Sequence, residues 1–521
     1  MWSKRLLENR FVLPVASAAF LILAFHPFTI WPLVFVALTP LFYFVVAAPT
    51  RPLKEVFLGG FITGSIFALS LSYFTVIQFH WIPATYVFVD AVRLLFIPLS
   101  LVGCALCGGA LVSYRLLSSN HAPLNVAVNA AVYVLGEMLL YALCGGYYFA
   151  MLAYAVAPLP FLVRFAGIGG AFFVSFIVAL VNALVAGYLA GDADVRRILR
   201  FYVLGIVGVL VILGAGFTWY MRVGEPVRTL SVAIVQDSGR DSVVFGHDQK
   251  GVFSSPTLEA QLKTAATPVP DLLIYPFSPI EGAFYRGVPQ HFNQPILAAS
   301  QDEFTRWTAS RLPASTTLKI WTTLYTNNTF NNVFQFIKDG VLQAEYSKRA
   351  RFPFLDYTPQ WAQKLGLYST QVDMTAGPAE QPLVVAGIKV GALLCSEVQK
   401  QDFVRAESGH SLLIISAGSE AVFFDDIASR YSLIAAQYRA AESGLPVIRA
   451  NLLGPSGVSD RYGALMAYAP RGEAQILRTS IPLYDSRATP YSWWGNVPVV
   501  VLVLLILGGA FWVRRNAYTV E

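Results

Sequence analysis

The sequence predicts a multi-span α-helical membrane domain joined to an extracytoplasmic domain of mixed α/β structure. Of its 521 residues, 55% are hydrophobic and only 13% are charged, whereas a soluble domain carries about 25% charged residues. The longest apolar runs lie before residue 221 and after residue 494, and one long polar segment separates them. This composition excludes a disordered chain and an ordinary soluble enzyme.

Eight apolar runs approach the length of a membrane helix, which needs about 20 apolar residues to cross a hydrocarbon core about 30 Å thick. They cover residues 11–25, 31–48, 57–78, 94–111, 127–144, 165–189, 201–220 and 497–513. The first run is short and ends at His26-Pro27. A cleaved signal peptide is the less favoured interpretation of this run, because no convincing small-residue cleavage site follows it.

Basic residues beside the apolar runs indicate the orientation of the chain in the membrane. We place on the cytoplasmic face Lys4, Arg5, Arg10, Arg51, Lys54, Arg115, Arg196, Arg197, Arg200, Arg514 and Arg515. The first two runs then form a hairpin and both termini are cytoplasmic, although Arg93 and Arg164 fall on the outer side. The prediction is a seven-helix membrane domain (1–220), an extracytoplasmic domain (221–494), and a last transmembrane helix with a short cytoplasmic tail (495–521).

The polar segment alternates short β-branched apolar runs with amphipathic stretches, which is typical of a layered α/β domain. Asp339-Gly340 separates two of these runs and predicts a β-hairpin. The clearest helix is 427–443, because Tyr431, Ile434, Ala435 and Tyr438 share one of its faces. The predicted strands are 230–235, 271–276, 318–325, 333–337, 341–346, 383–394, 412–416 and 446–450.

Several classes of function lose support from the distribution of charged and metal-binding residues. The formal charge is +6, but the basic residues form no stripe, so we expect no nucleic-acid partner. His247, His291 and His410 are scattered and lack metal-type spacing, and we expect no metal site. Neither a Gly-x-Ser-x-Gly elbow nor a phosphate-binding loop is present, and nothing requires a cofactor. Cys104 and Cys107 lie within an apolar run and are best interpreted as core residues.

Cys395 is the candidate nucleophile, because it follows an apolar strand and a thiol at a strand end can face a pocket. From position alone, a buried and inert cysteine is the more favoured interpretation. Lys348 lies in a short basic cluster, where a solvated lysine is the ordinary interpretation. Glu137 lies inside a predicted span, where an ionisable residue is either functional or a packed structural group.

Taken together, these motifs resemble the apolipoprotein N-acyltransferase family, bacterial inner-membrane enzymes with a nitrilase-like outward domain. The resemblance covers essentially the whole chain, including the order of the spans and the position of the large domain between the last two. The similar segments are 25–41, 346–359 with Lys348 and Asp356, 391–397 with Cys395 and Glu397, 439–442 and 449–456. The resemblance implies an αββα sandwich, with Cys395 as the nucleophile and Lys348 stabilising the oxyanion. Ser396 replaces the family's usual aromatic residue.

A second departure from the family affects its general base, a glutamate that follows a Trp-Pro pair. Here the corresponding segment is Tyr275-Pro276-Phe277, and phenylalanine cannot accept a proton. Glu281 can take this role if residues 278–282 form a helical turn, and Glu397 or Asp356 are alternatives. A further alternative is a catalytically degenerate relative that still binds lipoproteins or lipid. The segment from Ser416 onward also departs from the family pattern, which affects the pocket wall.

The resemblance implies ping-pong transfer of an acyl chain from a phospholipid to the diacylglyceryl-cysteine at the N-terminus of an apolipoprotein. It places the enzyme in the bacterial inner membrane with its catalytic domain in the periplasm. Aromatic stretches at 147–154 and 352–354 are candidates for the lipid entrance. A membrane-held amidase that hydrolyses carbon–nitrogen bonds is a further alternative, since it would use the same nucleophile.

Overall fold

The structure is a computed structural model of the 521-residue chain. It describes residues 11–25, 27–78, 87–119, 121–148, 150–222, 225–236, 246–247, 253–254, 256–276, 283–286, 297–327, 329–353, 356–366, 373–407, 409–417, 426–485 and 487–518. The chain divides into two compact units. The membrane unit comprises Met1–Ile77, Arg93–Arg222 and Thr489–Glu521, and the sandwich unit comprises Gln78–Val92 and Val223–Ala488.

The membrane unit is helical, and one or more helical segments lie within each apolar run that the sequence predicts to span the membrane. Its α-helices are α1 (Val12–Ala24), α2 (Thr39–Val46), α3 (Leu53–Gln78), α4 (Val87–Leu117), α5 (Ala122–Leu143), α6 (Leu152–Ala155), α7 (Pro160–Val163), α8 (Ala166–Ala190), α9 (Ala193–Tyr220), α15 (Pro490–Trp494) and α16 (Val497–Tyr518). Among the described residues, five helices are long and apolar enough to cross a membrane, within α3, α5, α8, α9 and α16. Shorter apolar helices occupy Val12–Ala24, Trp31–Val46 and Val102–Leu117.

The run at 31–48 is not the single helix that the sequence predicts. A 3₁₀ helix at Trp31–Phe35 is followed by a break and then by α2, and a proline lies in the first turn of each. Asn182 of α8 satisfies the backbone at this break: its Oδ1 accepts from the N–H groups of Leu38 and Thr39, and its Nδ2 donates to the carbonyl of Val34. The buried amide therefore replaces the hydrogen bonds that a continuous helix would make.

The run at 165–189 is also interrupted. Gly169 and Gly170 leave the helical conformation inside α8, and Gly170 has φ of 75°. A β-carbon at Gly170 would lie 2.5 Å from the ring of Tyr491. Glycine is required here because of both the backbone angle and the close approach of the tyrosine.

The sandwich unit contains two large β-sheets. The first has the order β16-β1-β4-β7-β5-β6, with β8 paired to β7 and β9 paired to β8. Its strands are β1 (Arg228–Gln236), β4 (Leu272–Ile274), β5 (Ala283–Tyr285), β6 (Leu297–Ser300), β7 (Thr317–Thr326), β8 (Thr329–Lys338), β9 (Val341–Ser347) and β16 (Gln475–Leu483).

The second sheet has the order β10-β11-β12-β13-β14-β15, in which β11, β12 and β13 are parallel. Its strands are β10 (Leu383–Val385), β11 (Ile388–Leu394), β12 (Leu412–Ala417), β13 (Val447–Asn451), β14 (Ser456–Ser459) and β15 (Leu465–Ala469). The short strands β2 (Gly246–His247) and β3 (Phe253–Ser254) pair with each other.

The sheets pack face to face in a helix–sheet–sheet–helix arrangement, which confirms the predicted αββα sandwich. Residues of both sheets form one apolar core, including Val232, Phe334, Leu394 and Ile414. The helices are α10 (Pro256–Ala265), α11 (Gln301–Ala309), α12 (Gln360–Lys364), α13 (Gln401–Ala406) and α14 (Asp426–Ser443). Helices α10 and α11 share a second apolar core with the first sheet, and α14 contacts β13 and β14 of the second sheet.

Two predictions for this unit have different outcomes. The hairpin at Asp339-Gly340 is confirmed, since β8 and β9 pair antiparallel and both turn residues have positive φ. The single strand predicted at 383–394 is wrong, because Ala386 and Gly387 also have positive φ and fold the run into the antiparallel pair β10 and β11. An Ala-Gly pair inside a β-branched run was the signal for this turn.

Candidate active site

Cys395 lies at the carboxyl end of β11, in the first position of a 3₁₀ turn that spans Cys395–Gln399. Its φ is 56°, a left-handed conformation that is uncommon for a residue with a side chain. Cys395 is 8% exposed and lies at the edge of the core between the two sheets. A sharp turn after a parallel strand presents a side chain at the end of the sheet, where catalytic groups commonly lie.

Lys348 follows β9 and interacts electrostatically with Cys395. Its side chain is buried, and its ammonium group lies 2.5 Å from Oδ2 of Asp356. Burial would lower the pKa of Lys348, but the negative charges of Cys395 and Asp356 outweigh burial and raise it above the ordinary lysine value. Since this attraction is mutual, the ammonium opposes the effect of burial, which by itself disfavours a thiolate.

Asp356 holds Lys348 in place through a buried hydrogen-bond network. Its Oδ2 also accepts the backbone N–H of Phe352 at 2.6 Å, and its Oδ1 accepts the side-chain amide of Asn332 at 2.9 Å. The backbone N–H of Lys348 donates to the carbonyl of Asn332 on β8. Asp356 and Asn332 therefore fix both the side chain and the backbone of Lys348.

Glu397 connects the turn of Cys395 to the loop of Lys348. Its Oε2 accepts from the N–H of Leu394 and from the hydroxyl of Tyr346, at 2.8 and 2.7 Å. Its Oε1 accepts from the N–H groups of Arg349 and Ala350, at 2.6 and 2.8 Å. A carboxylate offers about four acceptor positions, so these donors occupy all of them. Burial raises the pKa of Glu397, and these hydrogen bonds partly oppose that effect.

Other candidates from the sequence fall outside the described residues. Glu281, the first alternative for the general base, lies there, as do Phe277 and the predicted turn at 278–282. Most of the departing segment that begins at Ser416 also lies outside them. The structure therefore brings together Cys395, Lys348, Asp356 and Glu397.

Asn332, Tyr346, Arg349 and Glu407 also belong to this network, although the sequence did not single them out as site residues. Tyr346 and Arg349 flank Lys348 in the chain, which was an available signal. No sequence signal pointed to Asn332 or Glu407, because Asn332 lies 16 residues from Lys348 and Glu407 lies 58 residues from Arg349.

Glu137 occupies a separate, buried position in the membrane unit. Its Oε1 accepts the N–H of Leu152 at 2.8 Å, and Oγ of Ser175 accepts the N–H of Ala153 at 3.1 Å. Both N–H groups lie in the first turn of α6, where helix N–H groups have no partner within the helix. Glu137 therefore has a structural role, because it binds a backbone N–H group at the start of α6.

Two family models match separate parts of the chain. A model described as the apolipoprotein N-acyltransferase N-terminal domain matches residues 17–184, and one described as carbon–nitrogen hydrolase matches residues 311–491. The second match includes both Cys395 and Lys348.

Relatives match along almost the whole chain. An apolipoprotein N-acyltransferase of Pseudomonas syringae pv. tomato is 25% identical, covering 98% of each chain. One from Azotobacter vinelandii is 26% identical, covering 97% of this chain and 95% of its own. Among solved structures, XC1258 from Xanthomonas campestris, a CN-hydrolase superfamily protein, is 18% identical with a TM-score of 0.33, covering 49% of this chain and 91% of its own.

Proposed function

The chain belongs to the apolipoprotein N-acyltransferase family, and on that premise we propose that it transfers a fatty acyl chain from a phospholipid to an apolipoprotein. The acceptor is the free α-amino group of the N-terminal diacylglyceryl-cysteine. One observation carries the proposal: Cys395 ends a parallel strand in a left-handed turn, and Glu397 of that turn binds the backbone N–H groups that follow the buried Lys348.

In the first half-reaction the Cys395 thiolate attacks the sn-1 ester carbonyl of the phospholipid. A carbon–sulfur bond forms, and Lys348 with nearby backbone N–H groups stabilises the resulting oxyanion. The bond from the carbonyl carbon to the glycerol oxygen then breaks, and that oxygen takes the proton that the general base removed from the thiol. A lysophospholipid leaves, and the acyl chain remains on Cys395 as a thioester.

In the second half-reaction the α-amino group of the apolipoprotein attacks the thioester. An amide bond forms, the carbon–sulfur bond breaks, and the amine proton passes to a carboxylate. The Cys395 thiolate is regenerated. Because both substrates are anchored in lipid, a membrane-bound enzyme meets them in two dimensions, which reduces the entropic cost of bringing them together.

We assign the proton transfers to Glu281 and structural roles to the other two acids. Support comes from their hydrogen bonds, since Glu397 has donors at all of its acceptor positions and Asp356 binds Lys348. Positioned general bases contribute about 10² to 10⁴ in rate. Lys348 reduces the demand on a base in the first step, because it favours the thiolate before the lipid arrives.

The protein is a membrane protein, and we propose the bacterial inner membrane with the domain at 221–494 in the periplasm. Helices at 1–220 and 495–521 then span the membrane and leave both termini in the cytoplasm. The positions of the basic residues support this orientation. Diacylated apolipoproteins and phospholipids are available together at that outer face.

The decisive experiment is mass spectrometry of a lipoprotein N-terminus from cells depleted of their own acyltransferase and supplied with this protein. A third acyl chain is the expected result, and Cys395→Ala is the matched control that should yield none. In purified protein with labelled phospholipid, wild type should form an acyl-thioester that hydroxylamine releases.

Other outcomes identify the rival functions. Phe277, at the position of the family base, favours a lipoprotein-binding relative without catalysis, which would bind diacylated lipoprotein equally in wild type and Cys395→Ala and never acquire acyl label. An amidase would hydrolyse soluble amides in detergent without phospholipid. Either result would contradict the acyl-transfer proposal.

A further inference from the structure

Arg349, the residue after Lys348, belongs to a second cluster of contacts. Its guanidinium lies 2.8 Å from Oε1 of Glu407, and the two side chains are 11% and 9% exposed. Its Nε donates to the hydroxyl of Tyr346 at 3.0 Å, and its Cζ lies 4.5 Å from the centre of the Phe403 ring. Arg349 therefore contacts both the end of β9 and helix α13, which follows the turn of Cys395.

Glu407 lies against the strand that leads to the nucleophile. Gly391 belongs to β11, four residues before Cys395, and a β-carbon at Gly391 would lie 2.6 Å from Oε2 of Glu407. The carboxylate therefore occupies the space that any larger residue at 391 would need. Nδ1 of His410 lies 3.6 Å from the same oxygen. A shift of Glu407 would act directly on the backbone of β11.

Tyr346 provides a second connection from Arg349 to the nucleophile. The tyrosine hydroxyl, which accepts from Arg349, donates to Glu397, and Glu397 accepts the N–H of Leu394. The guanidinium thus reaches the turn of Cys395 from two directions, through Glu397 at the start of the turn and through Glu407 beside β11. Meanwhile the adjacent Lys348 lies in the field of Cys395 itself.

From these contacts we propose that the Arg349–Glu407 ion pair is a positioning element of the active site, which holds the loop of Lys348 against the turn of Cys395. The pair sets the separation between the ammonium and the sulfur, and the Coulomb attraction between them depends on that separation. Exposed ion pairs contribute little, but removal of one partner of a largely buried pair leaves a charge uncompensated and displaces its neighbours. The effect of the Arg349–Glu407 pair on acyl transfer rests on the proposed function, whereas its effect on the ionisation of Cys395 does not.

The test measures the alkylation of Cys395 by iodoacetamide as a function of pH in the full-length protein in detergent, with the Cys395 peptide followed by mass spectrometry. Iodoacetamide reacts with the thiolate, so its rate reports how well Lys348 stabilises that form. Arg349→Gln should raise the pH midpoint and lower the rate at neutral pH about tenfold. Glu407→Gln, which keeps the shape of the side chain, should lower it at least about threefold. Arg349→Lys keeps the charge but loses the planar guanidinium, so it should lower the rate less than Arg349→Gln does.

Arg311→Gln is the matched control. Arg311 pairs with Glu259 at 3.1 Å and lies over Trp307, but this more exposed pair joins α10 to the end of α11. The control should leave the alkylation profile unchanged, and thermal unfolding of each variant shows that it is folded. A profile of Arg349→Gln that superimposes on that of Arg311→Gln overturns the proposal. So does an equal loss in Arg349→Lys and Arg349→Gln, since the charge would then have no role.

A second measurement separates this inference from the proposed function. Wild type and variants are incubated with labelled phospholipid, and the acyl-thioester on Cys395 is quantified. If the alkylation results are as expected and wild type forms no thioester, acyl transfer fails and the positioning role remains. If wild type forms the thioester and the alkylation profiles do not differ, the positioning role fails and acyl transfer remains.

Discussion

Nζ of Lys348 lies 2.5 Å from Oδ2 of Asp356, and their side chains are 3% and 4% exposed. An ammonium with so little water contact depends on neighbouring charges to stay protonated, because burial favours the neutral amine. Asp356 is one of the two groups that most oppose burial, and the other is Cys395. The protonation of Lys348 therefore depends on both Cys395 and Asp356.

We predict that Asp356→Asn lowers the rate of acyl-thioester formation about 100-fold and moves the alkaline limb of its pH profile to lower pH. The neighbouring charges raise the pKa of Lys348, so the ammonium persists as pH rises. Removal of one of those charges lets the buried amine lose its proton at a lower pH. The measurement is the thioester rate between about pH 6 and about pH 10. Asp356→Glu keeps the negative charge, so its alkaline limb should stay at the wild-type pH. An alkaline limb of Asp356→Asn at the wild-type pH would show that Asp356 does not keep Lys348 protonated.

We predict that Glu281→Gln lowers the rate of acyl transfer at least about tenfold, because glutamine cannot accept a proton. The acidic limb of the pH profile should also flatten, since the group that must be ionised is gone. The measurement is steady-state transfer of labelled acyl chains to a diacylated lipopeptide. Activity equal to wild type would eliminate Glu281 as the base.

For Glu397→Gln the prediction concerns folding stability. Burial raises the pKa of Glu397 in the folded state. A carboxyl group with a raised folded pKa favours folding most at low pH, and this contribution declines as pH rises from the ordinary glutamate value of about 4.3 through the folded value. Glutamine does not titrate. The unfolding free energy of wild type minus that of the variant should therefore decrease as pH rises. Chemical unfolding at several pH values across that interval measures this difference. A difference that stays constant or increases would contradict the prediction.

In the membrane unit we predict that Asn182→Leu destabilises the fold by about 2 to 4 kcal/mol. Leucine has a similar volume but leaves the N–H groups of Leu38 and Thr39 and the carbonyl of Val34 without the amide that binds them. Thermal unfolding in detergent measures the loss. Ser113→Ala is the control, since its exposed hydroxyl donates to the carbonyl of Gly109 in its own helix. An equally small effect of both substitutions would show that the amide does not hold the break together.

The local sequence pattern was sufficient to predict an element where one physical property, such as hydrophobicity, determines its structure. The apolar runs predicted the membrane helices, because any helix in hydrocarbon needs about 20 apolar residues whatever its neighbours. Alternating β-branched runs located strands such as β1, β7 and β12, and Asp339-Gly340 located a hairpin. The breaks at 36–38 and 169–170 were not predicted, since their stability comes from Asn182 and from the close approach of Tyr491.

For the site, the sequence by itself determined the candidate side chains: Cys395 as a thiol at a strand end, and Lys348, Asp356 and Glu397 through the motifs that resemble the family. Only the tertiary structure decided how the acids are used, because hydrogen-bond partners depend on which strands are neighbours. Glu397 meets the loop of Lys348 across 47 or more residues of chain, and Arg349 meets Glu407 across 58. No local pattern encodes such contacts, since they arise when packing of the two sheets brings the ends of β9 and β11 together.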